Sequence, residues 1–249
     1  MVKGRRVATT TGNLARMGFR DAESTAHTLQ RLGPAADEVV HLLAAAADPD
    51  QAAAYLADLV EAAPDGDELL KAVRDDEGFA MRLLLVLGAS SALGDHLQRH
   101  ADHWHELTDP TLGSTRAPAF VLRTSLLRAV GAEPGASNPA ATLEDEAAVD
   151  ALRVEYRRHL LRLASRDLAH GVGVDDVAAE LSDLAAGTLE AALAIARARV
   201  GDAAATCRLA VIAMGKCGGR ELNYVSDVDV IFVAESDGET PETPALRAA

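Results

Sequence analysis

The sequence predicts an α+β fold that is predominantly helical, an irregular helical bundle followed by the start of an incomplete sheet. Three observations carry this reading. Apolar residues recur at helical spacing almost throughout residues 21–200. Alanine fills 51 of the 249 positions while aromatics are only 3%. Because Ala loses no side-chain rotamer freedom in a helix, such a chain favours helices packed closely through small side chains. Finally, two short apolar runs, at about 207–214 and 226–233, are bounded by glycine-rich or acidic segments and read as buried strands.

Taken in order, the chain begins with a basic arm, residues 1–20, holding five basic and no acidic groups. Such an arm reads first as a solvated terminus. A helical region spans 21–170. Its first helix follows Gly33-Pro34 and carries Val39, Val40, Leu42 and Leu43. Asp48-Pro49-Asp50 and Pro64-Asp65-Gly66 delimit the next helix, Gln51–Ala63. Leu69, Leu70 and Val73 keep the helical period, Phe79–Leu87 is strongly apolar up to Gly88, and a short helix follows at 92–100. Asp109–Pro118 reads as a loop, Ala119–Val130 as a helix, and about 143–169 as a long helix ended by Gly171-Val172-Gly173. The third region, 171–249, holds a helix at 175–200 that Asp175 can cap, then the two strands, then a Pro-, Thr- and acid-rich tail from Ser236.

Composition excludes several roles. With 38 acidic against 24 basic residues the net charge is −14, unfavourable for coating nucleic acid or an anionic membrane. No apolar run reaches 18 residues, and the N-terminus lacks the apolar core of a secretory signal. Cys207 and Cys217 make neither a zinc spacing nor a disulfide framework. The expectation is a cytoplasmic protein that binds neither nucleic acid nor membrane.

The chemistry lies in residues 209–233. In an extended strand Asp227 and Asp229 share one face with Ile231 and Val233, their Cα atoms roughly 6.5–7 Å apart. A divalent cation can bridge that span, and hard oxygen donors select Mg²⁺ or Mn²⁺. Upstream, Gly218-Gly219 lets backbone approach a ligand closely, and successive N–H groups at a helix start form an anion nest. Either feature alone is usually a turn or a solvated strand start. In this order, between two apolar strands, they fit nucleotidyl transfer, in which phosphate is cradled and cations neutralise charge.

Gly-Gly-x7-Asp-x-Asp resembles the DNA polymerase beta-like nucleotidyltransferase superfamily. More closely, MGKCGGRELNYVSDVDVIFVAE resembles the glutamine synthetase adenylyltransferase/adenylyl-removing enzyme family, and the ELNYVSD wording resembles its N-terminal, adenylyl-removing half. GNLARMGFRDA, RLLLVLGASSALGDHLQRHADHW and YRRHLLRLASRDLAHGVGVDDVAAELSDLA agree, so the likeness runs from about residue 12 to 235. It implies two nucleotidyltransferase domains around helical linkers. One removes AMP from a tyrosine of glutamine synthetase by phosphorolysis, giving ADP, and the other adds AMP from ATP. On this resemblance Asp227 and Asp229 match the metal-ligand, catalytic pair, and Gly218 and Gly219 the phosphate-contacting pair. Ser226 caps or orients the strand start, while Lys216 and Arg220 are either phosphate ligands or surface-neutralising groups. The partners implied are glutamine synthetase as substrate and a PII-type signal protein as effector.

The resemblance departs in one respect. The superfamily adds a third carboxylate on a later strand, whereas Glu235, Asp237, Glu239 and Glu242 lie in the tail. The chain therefore reads as an N-terminal fragment, inactive by itself. Another nucleotidyltransferase, such as a uridylyltransferase, and a non-catalytic helical docking module with a vestigial site both stay open. The tract His96-x3-His100-x2-His103-x-His105 reads as structural beside Trp104 and Leu107, Cys217 as a neutral spacer, and Arg157, Arg158 and Arg162 as a solvated helix row.

Overall fold

A computed structural model describes residues 9–113 and 116–236. The predicted tail from Asp237 onward and the first eight residues of the basic arm lie outside the described residues. The fold is helical α+β. It divides into two compact units, Met1–Thr115 with Leu161–Val172, and Arg116–Leu160 with Gly173–Ala249. The region read as one helical block at 21–170 is thus shared between them.

In the first unit, seven α-helices follow one another: α1 (Thr11–Arg16), α2 (Ala22–Gln30), α3 (Ala36–Leu43), α4 (Pro49–Ala62), α5 (Gly66–Asp75), α6 (Glu77–Ala89) and α7 (Ser91–Arg99). Four of these helices, α2, α4, α6 and α7, start at a side-chain cap. Asp21, Asp48, Asp76 and Ser90 accept hydrogen bonds from the backbone N–H three residues on, satisfying donors that a helix start leaves orphaned. Helix α6 is buried on almost every side, which is why its sequence is apolar all round rather than on one stripe. At Gly88 it closely approaches the segment leading into α4, since a Cβ there would lie 2.5 Å from the Ala46 Cβ, 3.0 Å from the Asp48 carbonyl oxygen and 3.4 Å from the Ala52 Cβ of α4. The Asp109–Pro118 loop holds a short 3₁₀ segment, Pro110–Gly113, and another spans Ala101–Leu107.

The histidine tract sits at this junction. The rings of His96, His100 and His103 lie 5.0–5.5 Å apart by centroid, and His96 Nε2 is 3.0 Å from His103 Nδ1. Trp104 is buried against Phe79, and its Nε1 donates to Asp65 Oδ1 at 3.2 Å. Among the described residues, no three His, Cys, Asp or Glu side chains are grouped so as to hold a metal.

The second unit is built on α8 (Ala119–Ala129), the N-terminal part of α9 (Asp145–His170) and α10 (Val174–Val200). The first turn of α10 carries Asp175 and Asp176, but its N-cap is Gly173, so Asp175 is two places too far along to cap it. The core joins Leu122, Leu126, Leu127 and Val130 to Leu184, Ala191, Ala194 and Ile195, with Ala148 and Leu152 closing one side. The abundance of small residues has its purpose here. A Cβ at Gly187 would lie 2.9 Å from Leu126 Cδ1 and 3.3 Å from the Arg123 Cα, so α8 and α10 meet nearly backbone to backbone. Arg123 then clamps the pair through Glu190, at 2.6 and 2.5 Å.

After a 3₁₀ segment at Gly201–Thr206, strand β1 (Cys207–Ala213) pairs antiparallel with β2 (Val230–Ser236). The register runs from Cys207 opposite Ser236 to Ala213 opposite Val230. Between the strands lies α11, a single helical turn at Gly215–Gly218. The second strand thus begins four residues later than the sequence suggests. Strand β1 gives way to α11 directly after Met214, so no β1 backbone stands opposite residues 226–228, whereas Cys207 and Arg208 extend the pairing out to Glu235 and Ser236.

Candidate active site

Alternation along the two strands sorts the site. Opposed residues of an antiparallel pair point to the same face. Ala210 and Ile212 therefore stand with Val233 and Ile231 on one face, and this face is exposed. Leu209, Val211 and Ala213 line the other, where a cleft is completed by Leu189, Leu193, Arg123 and Glu190. The pairing continues one step beyond β1, since Met214 N–H donates to the Asp229 carbonyl at 2.8 Å. Asp229 is thus fixed in register at the mouth of β2, and Asp227 two residues earlier is likewise exposed. Neither makes an ion pair with any described residue. The expected strand placement of Ser226, Asp227 and Asp229 is corrected in this respect: all three precede the strand, and Ser226 Oγ lies 3.3 Å from the Asp227 carbonyl oxygen.

The glycine turn is built tightly. Gly215 adopts φ +51°, a conformation side-chained residues rarely take, and a Cβ on it would lie 3.4 Å from Asp229 Oδ2. The start of the turn thus lies beside one carboxylate of the acidic pair. Gly218 N–H donates to the Met214 carbonyl at 3.0 Å and Gly219 N–H to the Gly215 carbonyl at 2.9 Å. The two glycines therefore spend their own N–H groups inside the turn. The donors that a helix start leaves without intrahelical partners are those of its first residues, Gly215, Lys216 and Cys217. Gly218 is required for a steric reason, because a Cβ there would come 2.4 Å from the Ala213 carbonyl oxygen. Gly218→Ala should cost about 1–3 kcal/mol through the enforced backbone shift. It should also raise amide exchange in 213–219 before it affects α8 and α10. Unchanged exchange in that segment would contradict the close approach.

The basic candidates are less available than the sequence suggests. Arg220 takes φ +60° and gives Nη1 and Nη2 to the two carboxylate oxygens of Asp183 on α10, at 2.6 and 2.9 Å. That hydrogen bonding holds the Arg220 guanidinium above its ordinary range. Its fork is therefore committed to Asp183 and is not presented as a free phosphate ligand. Lys216 Nζ donates to Asn223 Oδ1 at 3.0 Å, and Asn223 Nδ2 in turn to the Val225 carbonyl. Being exposed at the surface, that amine can exchange its amide partner for an anion at little cost. Cys217 is buried, which pushes its thiol pKa up and keeps it protonated, in keeping with a spacer.

Two contributors escaped the motif reading. Gly215 belongs to the turn outside the Gly-Gly pair, and its signal is its place directly after the apolar run. Asp183 is a carboxylate inside the buried stretch Glu180–Ala185 of a helix, an arrangement that already asks for a cationic partner.

Comparison with known proteins identifies the family. A family model described as Glutamate-ammonia ligase adenylyltransferase matches residues 80–247, about two thirds of the chain and all of the strand–turn–strand segment. A bifunctional glutamine synthetase adenylyltransferase/adenylyl-removing enzyme of Streptomyces coelicolor is 46% identical over 259 residues, covering 100% of this chain and 24% of that protein. Relatives of the same description from Streptomyces avermitilis and Mycolicibacterium smegmatis are 45% and 44% identical, covering 99% and 90% of this chain and 24% and 22% of theirs. The chain thus spans about a quarter of the length of the curated relatives it matches. A family-model match over about two thirds of the chain, together with 46% identity to a relative across the whole chain, establishes that this chain belongs to the glutamate-ammonia ligase adenylyltransferase family.

Proposed function

We propose that this chain is the N-terminal, adenylyl-removing portion of a bifunctional enzyme that controls glutamine synthetase, and that β1 and β2 open its polymerase beta-like catalytic sheet. The observation that carries the reading is the placement of the Asp229 carboxylate beside Gly215, at the start of the turn. One element offers backbone donors for phosphate and the other offers hard anionic oxygens.

Asp227 and Asp229 are exposed, two residues apart, and in no ion pair with a described residue, a donor set that fits Mg²⁺ or Mn²⁺. A divalent ion held there would supply charge neutralisation on the phosphate oxygens. The chain's own part is positional. The first N–H groups of α11 and the Lys216 ammonium receive inorganic phosphate, and the Gly218 approach keeps the turn low so that phosphate can near the acidic pair. An oxygen of phosphate then forms a bond to the AMP phosphorus, and the bond from that phosphorus to the tyrosine oxygen breaks. The phenolate takes up a proton, and the product is ADP. The adding activity, with ATP as donor, belongs to the remainder of the longer enzyme in this reading.

The test is the identity of the product. A polypeptide of the relatives' full length carrying this sequence is mixed with adenylylated glutamine synthetase, phosphate and Mg²⁺. ADP should form in proportion to the tyrosine released, and deletion of 207–236 should abolish that while sparing ATP-dependent addition. Release of free AMP, or loss of addition alone, would assign this segment otherwise.

A further inference from the structure

We infer that Asp183, on α10, is a positioning residue for the glycine turn, acting through Arg220. The inference rests on the function proposed above and deepens it, since it names what holds the phosphate-binding element in place. Arg220 directly follows Gly219 and occupies φ +60°, a region where a side-chained residue is held only if its surroundings fix it. Asp183 provides that fixation. Its side chain is 8% exposed, and its two oxygens meet the Arg220 guanidinium in a fork-to-fork pair, which sets orientation as well as distance. Arg116 Nη2 also donates to Asp183 Oδ2, at 2.5 Å, so the carboxylate is itself held from a second side.

The coupling to the turn runs through the backbone. Arg220 N–H donates to the Cys217 carbonyl at 3.2 Å and Glu221 N–H to the Lys216 carbonyl at 2.7 Å. Fixing Arg220 therefore fixes the C-terminal side of Gly215–Gly218, whose other end abuts Asp229. The base of this arrangement is rigid because α10 is a 27-residue helix packed against α8 through Gly187, Ala191 and Ala194. Anchored at Asp183, the turn keeps its place relative to the acidic pair without help from β2. The sequence leaves Arg220 either a phosphate ligand or a surface-neutralising group, but its chemistry here is to aim the backbone that meets phosphate.

Two variants and their combination test this, Asp183→Asn and Arg220→Lys. In the 249-residue chain, either single change should raise amide exchange in residues 215–223 about tenfold and leave α8 and α10 protected. In the full-length enzyme, each should lower phosphorolysis about ten- to a hundredfold, the scale of a misplaced reacting group. The double variant should be no worse than the poorer single, because both remove one linkage. Exchange unchanged in 215–223, exchange raised equally throughout α8 and α10, or losses that multiply in the double variant would each overturn the inference. Failure of the functional reading looks different, with local loosening in 215–223 but no change in phosphorolysis in either Asp183→Asn or Asp227→Asn.

Discussion

Asp227→Asn, introduced into an enzyme of the relatives' full length, should lower phosphate-dependent release of ADP from adenylylated glutamine synthetase by about a thousandfold or more. The figure follows from the several kcal/mol of charge stabilisation that a cation held by paired carboxylates lends to phosphoryl transfer. Asp229→Asn should do the same, and the two should not add, since either change alone destroys the bidentate donor set. Stability should hold or rise slightly. Both carboxylates are exposed and make no ion pair with a described residue, so neutralising one relieves repulsion and breaks no contact. The backbone bond from Met214 N–H to the Asp229 carbonyl does not involve the side chain, so the register of β2 survives. Amide exchange in β1 and β2 checks the fold while ADP release checks the chemistry. A wild-type rate in Asp227→Asn would remove the acidic pair from the mechanism.

How far the sequence discloses this site depends on the range of the interactions that build it. Helices α4, α6 and α10 are legible because their signals are local: an Asp48 cap followed by Pro49, a run from Phe79 to Leu87, a glycine before Val174. The glycine turn beside the acidic pair is legible because tight backbone restricts residue type at Gly215 and Gly218. The start of β2 is not, since pairing depends on where the partner strand stops, and that was decided by α11. Arg220 stays ambiguous along the sequence for a related reason. A basic residue after two glycines looks like a phosphate ligand until a carboxylate 37 positions away is folded against it. The division of the helical region between two units is likewise invisible along the sequence, because α9 runs without a break through Leu160 and Leu161. Helical periodicity records which face is buried and not which core buries it.

The same distinction between local pattern and tertiary partner governs the response to acid. Arg157, Arg158 and Arg162 look like a solvated row, yet Arg158 Nε and Nη2 donate to Glu155 at 2.8 and 2.6 Å, and Ser125 of α8 donates to the same carboxylate. Burial alone would raise the Glu155 pKa, but the nearby His159, with Nε2 at 3.1 Å, together with Arg158 and Ser125, more than offsets it. The group is held well below the usual carboxylate range. A pKa lower in the folded than in the unfolded chain means stability that is complete above the unfolded value of 4.5 and lost as pH falls below it. Glu155→Gln should therefore destabilise the second unit at pH 7 by about 2–3 kcal/mol, since it leaves Arg158 without its carboxylate in a half-buried site. It should also flatten that unit's loss of stability from about pH 5 downward. The readout must be local, because Asp65 and Asp109, whose pKa values are also lowered, lie in the first unit and the single tryptophan reports there. Amide exchange of α8 and α10 between pH 7 and pH 4, corrected for intrinsic rates, supplies it. Parallel acid profiles for wild type and Glu155→Gln would mean that the carboxylate does not carry the linkage, and equal protection at pH 7 would mean that the Ser125–Glu155–Arg158 contact between α8 and α9 adds nothing to the core behind the site.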